Sequence, residues 1–177
     1  ILNNWDRTSQ PDNLGAAQFL VIYDFLRGKY KASYTGERYV LKTEEAVEAI
    51  SAAHKYLMKH FKRVDIRLSD YQFLVRGSRE VPVAGIPDVI TAMHSLPYKD
   101  GKVRAVQGES LIMLIRYPEE GLPIIETVNV YGSSNQPDSP HYDDQMNLFL
   151  NKERKPMTLD IDEVRRTAES IYHPVKK

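Results

Sequence analysis

Cysteine is absent from this 177-residue chain, which removes thiol catalysis, disulfides and thiolate zinc sites. It leaves the compartment open, because oxidised and reduced locations both tolerate Cys-free chains. Net charge is absent as well. Lys+Arg and Asp+Glu each total 24, so no long-range field draws in DNA, RNA or an anionic membrane surface. No run approaches the roughly eighteen apolar residues of a membrane span, and no signal-peptide pattern is visible. Heptad seams, phosphate-cradling Gly-rich loops, internal repeats and low-complexity tracts are also missing. What is present is enough for one ordinary domain, which buries roughly 70% of its unfolded surface without needing a metal or a disulfide. Residues 1–177 are therefore read as a single segment. The chain opens on Ile1-Leu2-Asn3-Asn4-Trp5-Asp6 rather than on Met, and the expectation is a piece of something longer.

Periodicity and breakers place the elements. Pro11-Asp12-Asn13 supplies a stop and a cap for a helix over about residues 12–27, closed by Gly28. Phe19, Leu20, Val21, Ile22, Tyr23, Phe25 and Leu26 surround most of its circumference, so it should be covered on more than one side. Residues 29–41 read as irregular. Thr43 then caps a second helix, with Glu44 and Glu45 in its first turn against the positive end of the helix dipole. Val47, Ile50, His54, Leu57, Met58 and Phe61 recur at helical spacing, which predicts an amphipathic helix to about His60 with His54 as a hydrogen-bonded core residue. Residues 71–77 fit a short helix or a strand, and residues 81–88 hold too many prolines and glycines for regular structure.

Residues 103–106, 111–117 and 122–131 are strand candidates whose spacing fits an antiparallel meander. Leu111-Ile112-Met113-Leu114-Ile115 is apolar at every position, so both faces of that strand should be covered. Residues 144–150 suggest a helical turn. Asp160 with Glu163 resembles a capping box opening a last helix over residues 161–172, which Pro174 stops. The fold class is α+β, an antiparallel sheet with packed helices.

The stretch that composition does not explain runs from Tyr131 to Gln145 and on into Met146-Asn147-Leu148-Phe149. Its first half is Gly, Ser, Asn, Asp and Pro, the residues of a loop leaving a strand. Its second half crowds His141, Tyr142, Asp143, Asp144 and Gln145 together. His141, Asp143 and Asp144 invite a metal reading, yet they give at most two well-placed ligands. Ser139, His141 and Asp143 invite a triad reading, yet triad members normally come from separate elements. Gly132-Ser133-Ser134 also lacks the second glycine of a nucleophile elbow. Hydrogen-bonded fastening of the loop is the favoured role, with no metal and no catalytic residue assigned.

This stretch resembles the C-terminal signature of the penicillin acylase family. The resemblance rests on Tyr131-Gly132-Ser133-Ser134, on Ser139-Pro140-His141-Tyr142-Asp143-Asp144-Gln145 and on Leu148-Phe149. Upstream, Trp5-Asp6 with Gly15-Ala16-Ala17, Val75-Arg76-Gly77, Gly85-Ile86-Pro87-Asp88 and Gln107-Gly108-Glu109-Ser110 agree in order. The likeness is nearest to the branch of acyl-homoserine lactone acylases and aculeacin-type acylases. It implies an N-terminal nucleophile hydrolase that cleaves linear amides of N-acylated substrates, and a segment from the C-terminal part of the large chain in an αββα core. In that family a chain-starting serine attacks while its own α-amino group acts as base. Here the first residue is Ile1, so no catalytic residue carries over and the isolated segment is expected to be inactive.

Gly132, Ser133, Ser139, His141, Tyr142, Asp144 and Gln145 are the structural loop motif. His141 and Asp144 are the expected hydrogen-bond anchors. The implied partners are the small chain and the N-terminal part of the large chain, the implied location is periplasmic or exported, and no cofactor is implied. The apolar first helix would also let the isolated segment self-associate. Two other readings stay open, a free-standing non-catalytic α+β binding module and a hydrolase that uses the His141 region directly.

Overall fold

The computed structural model describes residues 1–30, 40–87 and 89–173. The irregular stretch expected at residues 29–41 and the stop at Pro174 fall largely outside the described residues. The chain is α+β and groups into two compact units, Ile1–Glu109 and Ser110–Lys177. Among the described residues no helix is long and apolar enough to cross a membrane.

In the first unit, helix α1 spans Leu14–Tyr30. The Asn13 side-chain carbonyl caps it by accepting the Ala16 N–H at 3.0 Å. Asp6 steadies that cap, accepting from the Asn13 amide, the Thr8 hydroxyl and the Thr8 N–H, each at 2.9 Å. These donors, the Thr8 N–H first, hold its carboxyl below the usual range. Gly15 is required because the Trp5 indole lies on it, and a Cβ there would stand 2.2 Å from Trp5 Cγ. The helix runs through Gly28 rather than stopping at it. Gly15, Ala16, Ala17, Leu20 and Val21 form its buried stripe, flanked by half-buried Phe19, Ile22 and Tyr23.

Helix α2 spans Thr43–Phe61, with Lys42 rather than Thr43 at the cap position. Glu45 supplies the reciprocal bond, accepting the Lys42 N–H at 3.0 Å. The buried face is Ala49, Ala53 and Leu57, so of the predicted stripe Leu57 is buried and Phe61 packs on the core, while its N-terminal half is not. Val47 is 62% and Ile50 52% exposed, and His54 is on the surface instead of in the core. The reason is steric. Alanines on both helices let the α1 and α2 backbones approach closely, and that packing selects small residues for the seam over the bulkier Val and Ile. Leu57 belongs to the same buried cluster as Leu20, Ile66, Leu68 and Tyr71, and burying a leucine contributes about 1.5–3 kcal/mol.

Helix α3 (Leu68–Tyr71) passes straight into strand β1 (Gln72–Arg76), so the ambiguous stretch is one helical turn followed by a strand. Gly77, at φ 58, turns the chain into β2 (Arg79–Pro82), which extends further into the breaker-rich stretch than expected. Strands β3 (Met93–Pro97) and β4 (Val103–Gly108) complete a sheet of order β2-β1-β4-β3. The β1 and β4 pair is parallel and the others are antiparallel. The predicted meander is thus wrong at its first strand, because β4 pairs with β1 and β3 and belongs to this sheet. Fully buried Gln72 ties the sheet to the loop that follows β2. Its Nε2 donates to Gly85 O at 2.8 Å and Val83 O at 3.2 Å, while its Oε1 accepts the Ser95 hydroxyl at 2.9 Å.

In the second unit, strands β5 (Leu111–Arg116), β6 (Ile124–Asn129) and β7 (Lys155–Met157) form an antiparallel sheet in the order β5-β6-β7. Helices α4 (Met146–Leu150) and α5 (Ile161–Thr167) complete it. Ile125, Val128, Val130, Met146 and Phe149 are its buried apolar residues. Strand β5 is not covered on both faces as predicted. Leu111, Met113, Leu114 and Ile115 are 39–52% exposed, because the few buried side chains of this unit gather on β6 and α4. Asp160 caps α5 as expected, accepting the Asp162 N–H at 2.9 Å and the Glu163 N–H at 3.4 Å. The Glu163 carboxylate turns to Arg166 at 2.7 Å instead of completing a capping box. The helix stops at Thr167, short of Tyr172, as Ala168 adopts an extended conformation.

Candidate functional site

The stretch singled out by composition is the connection from β6 to α4, and it closes on itself. After β6 the chain buries Val130, and the Tyr131 carbonyl then accepts the Gln145 N–H at 2.9 Å. Gln145, 2% exposed, is the hub. Its Oε1 accepts the Asn129 N–H at 3.0 Å, and its Nε2 donates to Ser133 Oγ at 2.9 Å. One amide therefore meets both the end of β6 and the start of the loop, and its hydrogen bonds offset the cost of burying it.

Turn chemistry shapes the segment between these ends. The Ser134 hydroxyl accepts the Gln136 N–H at 3.1 Å, and the Ser139 hydroxyl accepts the His141 N–H at 3.2 Å. Backbone bonds from Ser139 N–H to Gln136 O at 3.0 Å and from Tyr142 N–H to Ser139 O at 3.1 Å complete the turns. The returning strand crosses the outgoing one where Ser134 N–H meets His141 O at 3.0 Å. Gly132 permits this crossing, for a Cβ there would sit 2.2 Å from His141 O and 2.7 Å from Asp144 Oδ1.

His141 is half exposed and sits between two acids. Its Nδ1 is 2.9 Å from Asp144 Oδ2, and its Nε2 is 3.2 Å from both oxygens of Glu169. The Asp144 bond first, then Glu169, raises the imidazole above its ordinary value. The bonds of this loop differ from the expected anchoring by His141 and Asp144 in two ways. Gln145 is the buried centre rather than His141 or Asp144. Glu169, 28 residues beyond His141, joins from the segment after α5, and no spacing pattern in the sequence pointed to it.

The arrangement ties the loop to the backbone through Gln145, Ser134 and Ser139 and pairs the His141 ring with two carboxylates. Ser139 meets the His141 backbone N–H rather than the ring, and the ring's carboxylates are Asp144 and Glu169. Among the described residues no group of three or more His, Asp or Glu side chains is placed to hold a metal ion.

Residues 1–166 match the family model for penicillin amidase. The chain belongs to the penicillin amidase family. Its relatives include the acyl-homoserine lactone acylase PvdQ of Pseudomonas fluorescens strain Pf-5, which is 33% identical over 88 residues, 48% of this chain and 11% of that protein. The PvdQ acylase of Pseudomonas fluorescens strain Pf0-1 is 27% identical over 109 residues, 60% of this chain and 14% of the relative. That of Pseudomonas syringae pv. tomato is 28% identical over 107 residues, again 14% of its length. The chain therefore spans about a ninth to a seventh of the curated relatives it matches. In this penicillin amidase family member the loop signature is an internally bonded structure linking a strand to a helix.

Proposed function

We propose that this chain is the C-terminal framework of an amidohydrolase large chain, of the type that cleaves linear amides of N-acylated substrates such as acyl-homoserine lactones. The observation that carries the reading is the edge of β5, which among the described residues pairs with β6 alone. Val130 N–H bonds Ser110 O at 3.3 Å, and residues facing across an antiparallel pair alternate between bonded and non-bonded positions. With the register Leu111↔Asn129, Met113↔Thr127 and Ile115↔Ile125, the backbone groups of Leu111, Met113 and Ile115 point away from β6. Isolated proteins blunt such edges with charges, prolines or bulges, whereas this one is apolar up to Arg116. It is an edge suited to another strand, as in a layered αββα core.

On this reading the loop of residues 132–145 holds α4 against β6, so the sheet keeps its shape where the rest of the enzyme meets it. The partners are the small chain and the N-terminal part of the large chain, in a periplasmic or exported setting. A chain-starting serine, activated by its own α-amino group, would attack the amide from another part of the parent. The similarity to acyl-homoserine lactone acylases supports an N-acyl-homoserine lactone as the substrate to test. The test is an amidase assay on an N-acyl-homoserine lactone. The complete enzyme turns it over and the 177-residue chain alone does not. Turnover by the purified chain alone overturns the reading.

A further inference from the structure

The two bonds at His141 set a chemical condition. A carboxylate only accepts, and a neutral imidazole carries one N–H, so only the doubly protonated ring donates to Asp144 on one side and Glu169 on the other. We propose that His141 is a protonation-dependent clasp that holds the segment after α5 against the loop and releases it when the ring gives up its proton to solvent.

The two acids are held unequally, which decides where the clasp opens. Asp144 is fixed by the loop, one residue before buried Gln145 and with Oδ1 against Gly132. Glu169 is 78% exposed and stands beyond the last helical residue, Thr167. A neutral ring keeps its one proton on Nδ1 toward Asp144 and turns the Nε2 lone pair to the Glu169 carboxylate. That contact changes from attraction to repulsion, and the exposed partner moves. The other charges nearby do not replace the imidazolium. Arg165 and Arg166 on α5 pair with Asp162 and Glu163 of the same helix, and the adjoining loop charge, Asp143, is itself negative. The segment of residues 168–173 carries the exposed side chains Ile171 and Tyr172, so opening the clasp alters how an apolar surface is presented.

Two measurements on the full chain test this. Carbon-13 labelling of histidine gives the His141 midpoint, and nitrogen-15 backbone relaxation of residues 168–173 reports release. The expected result is that the order of this segment falls with rising pH at the His141 midpoint, above the ordinary histidine value of about 6.5. Glu169→Gln, a surface change that leaves folding intact, should lower the midpoint and abolish the pH dependence of the order. His141→Gln should leave the segment equally mobile at all pH values. Order that stays constant while the ring titrates overturns the clasp, as does a midpoint unchanged in Glu169→Gln.

Discussion

The Gln145 side chain accepts the Asn129 backbone N–H at 3.0 Å from a position only 2% exposed. The residue before α4 is thereby bonded to the last residue of β6, and the intervening loop is shaped around that bond. Much of the second unit's order follows from it, since only a few buried apolar side chains accompany it.

Replacing Gln145 with Met keeps much of its volume and leaves the Asn129 N–H without its acceptor. An orphaned buried donor costs about 1–3 kcal/mol. Chemical denaturation should show a loss in that range, and no loss would mean that the bond is not formed in solution.

Gly132→Ala tests the crossing of the loop. The added Cβ would meet the His141 carbonyl at 2.2 Å, a backbone atom that cannot swing aside. The expected destabilisation is about 1–3 kcal/mol or more, as for other overpacked sites. In the complete enzyme it should lower the yield of folded protein before it changes acyl-chain preference. Normal thermal stability with an altered preference would contradict the framework role.

The pH dependence of stability has a definite sign at His141. Its value is raised in the folded state by Asp144 and then Glu169, so the ring's contribution is complete below the unfolded value of about 6.5. It is lost as pH rises through the higher folded value. Denaturation midpoints measured on either side of this window should fall toward alkaline pH, and Glu169→Gln should flatten part of that slope.

Gln72 makes the corresponding test in the first unit. Gln72→Leu removes the partners of Val83 O, Gly85 O and the Ser95 hydroxyl. Unpaired groups in this buried site should cost about 1–3 kcal/mol, read by denaturation, with faster amide exchange in the loop around Gly85.

Local signals were legible where local chemistry decides the outcome. The Asn13 and Asp160 caps and the end of α2 follow from residues within a turn of one another. The face of α2 was not legible, because hydrophobicity favours Val47 and Ile50 while close helix packing favours Ala49 and Ala53. Nor was the pairing of β4, which meets β1 across some thirty intervening residues and so escapes any rule based on neighbouring strands. The hub of the polar loop was not legible either. Composition drew attention to His141 and Asp144, while burial singles out Gln145, and Glu169 arrives from a distant segment. The openness of β5 depends on what lies beside it, which the run Leu111-Ile112-Met113-Leu114-Ile115 cannot reveal by itself.

The most direct test of the framework account is amide hydrogen exchange at β5, compared between the complete acylase and the isolated 177-residue chain. The N–H groups of Leu111, Met113 and Ile115 should be protected in the complete enzyme and exchange freely in the isolated chain, while Ile112 and Leu114, bonded to β6, stay protected in both. Free exchange at Leu111, Met113 and Ile115 in the complete enzyme would contradict it.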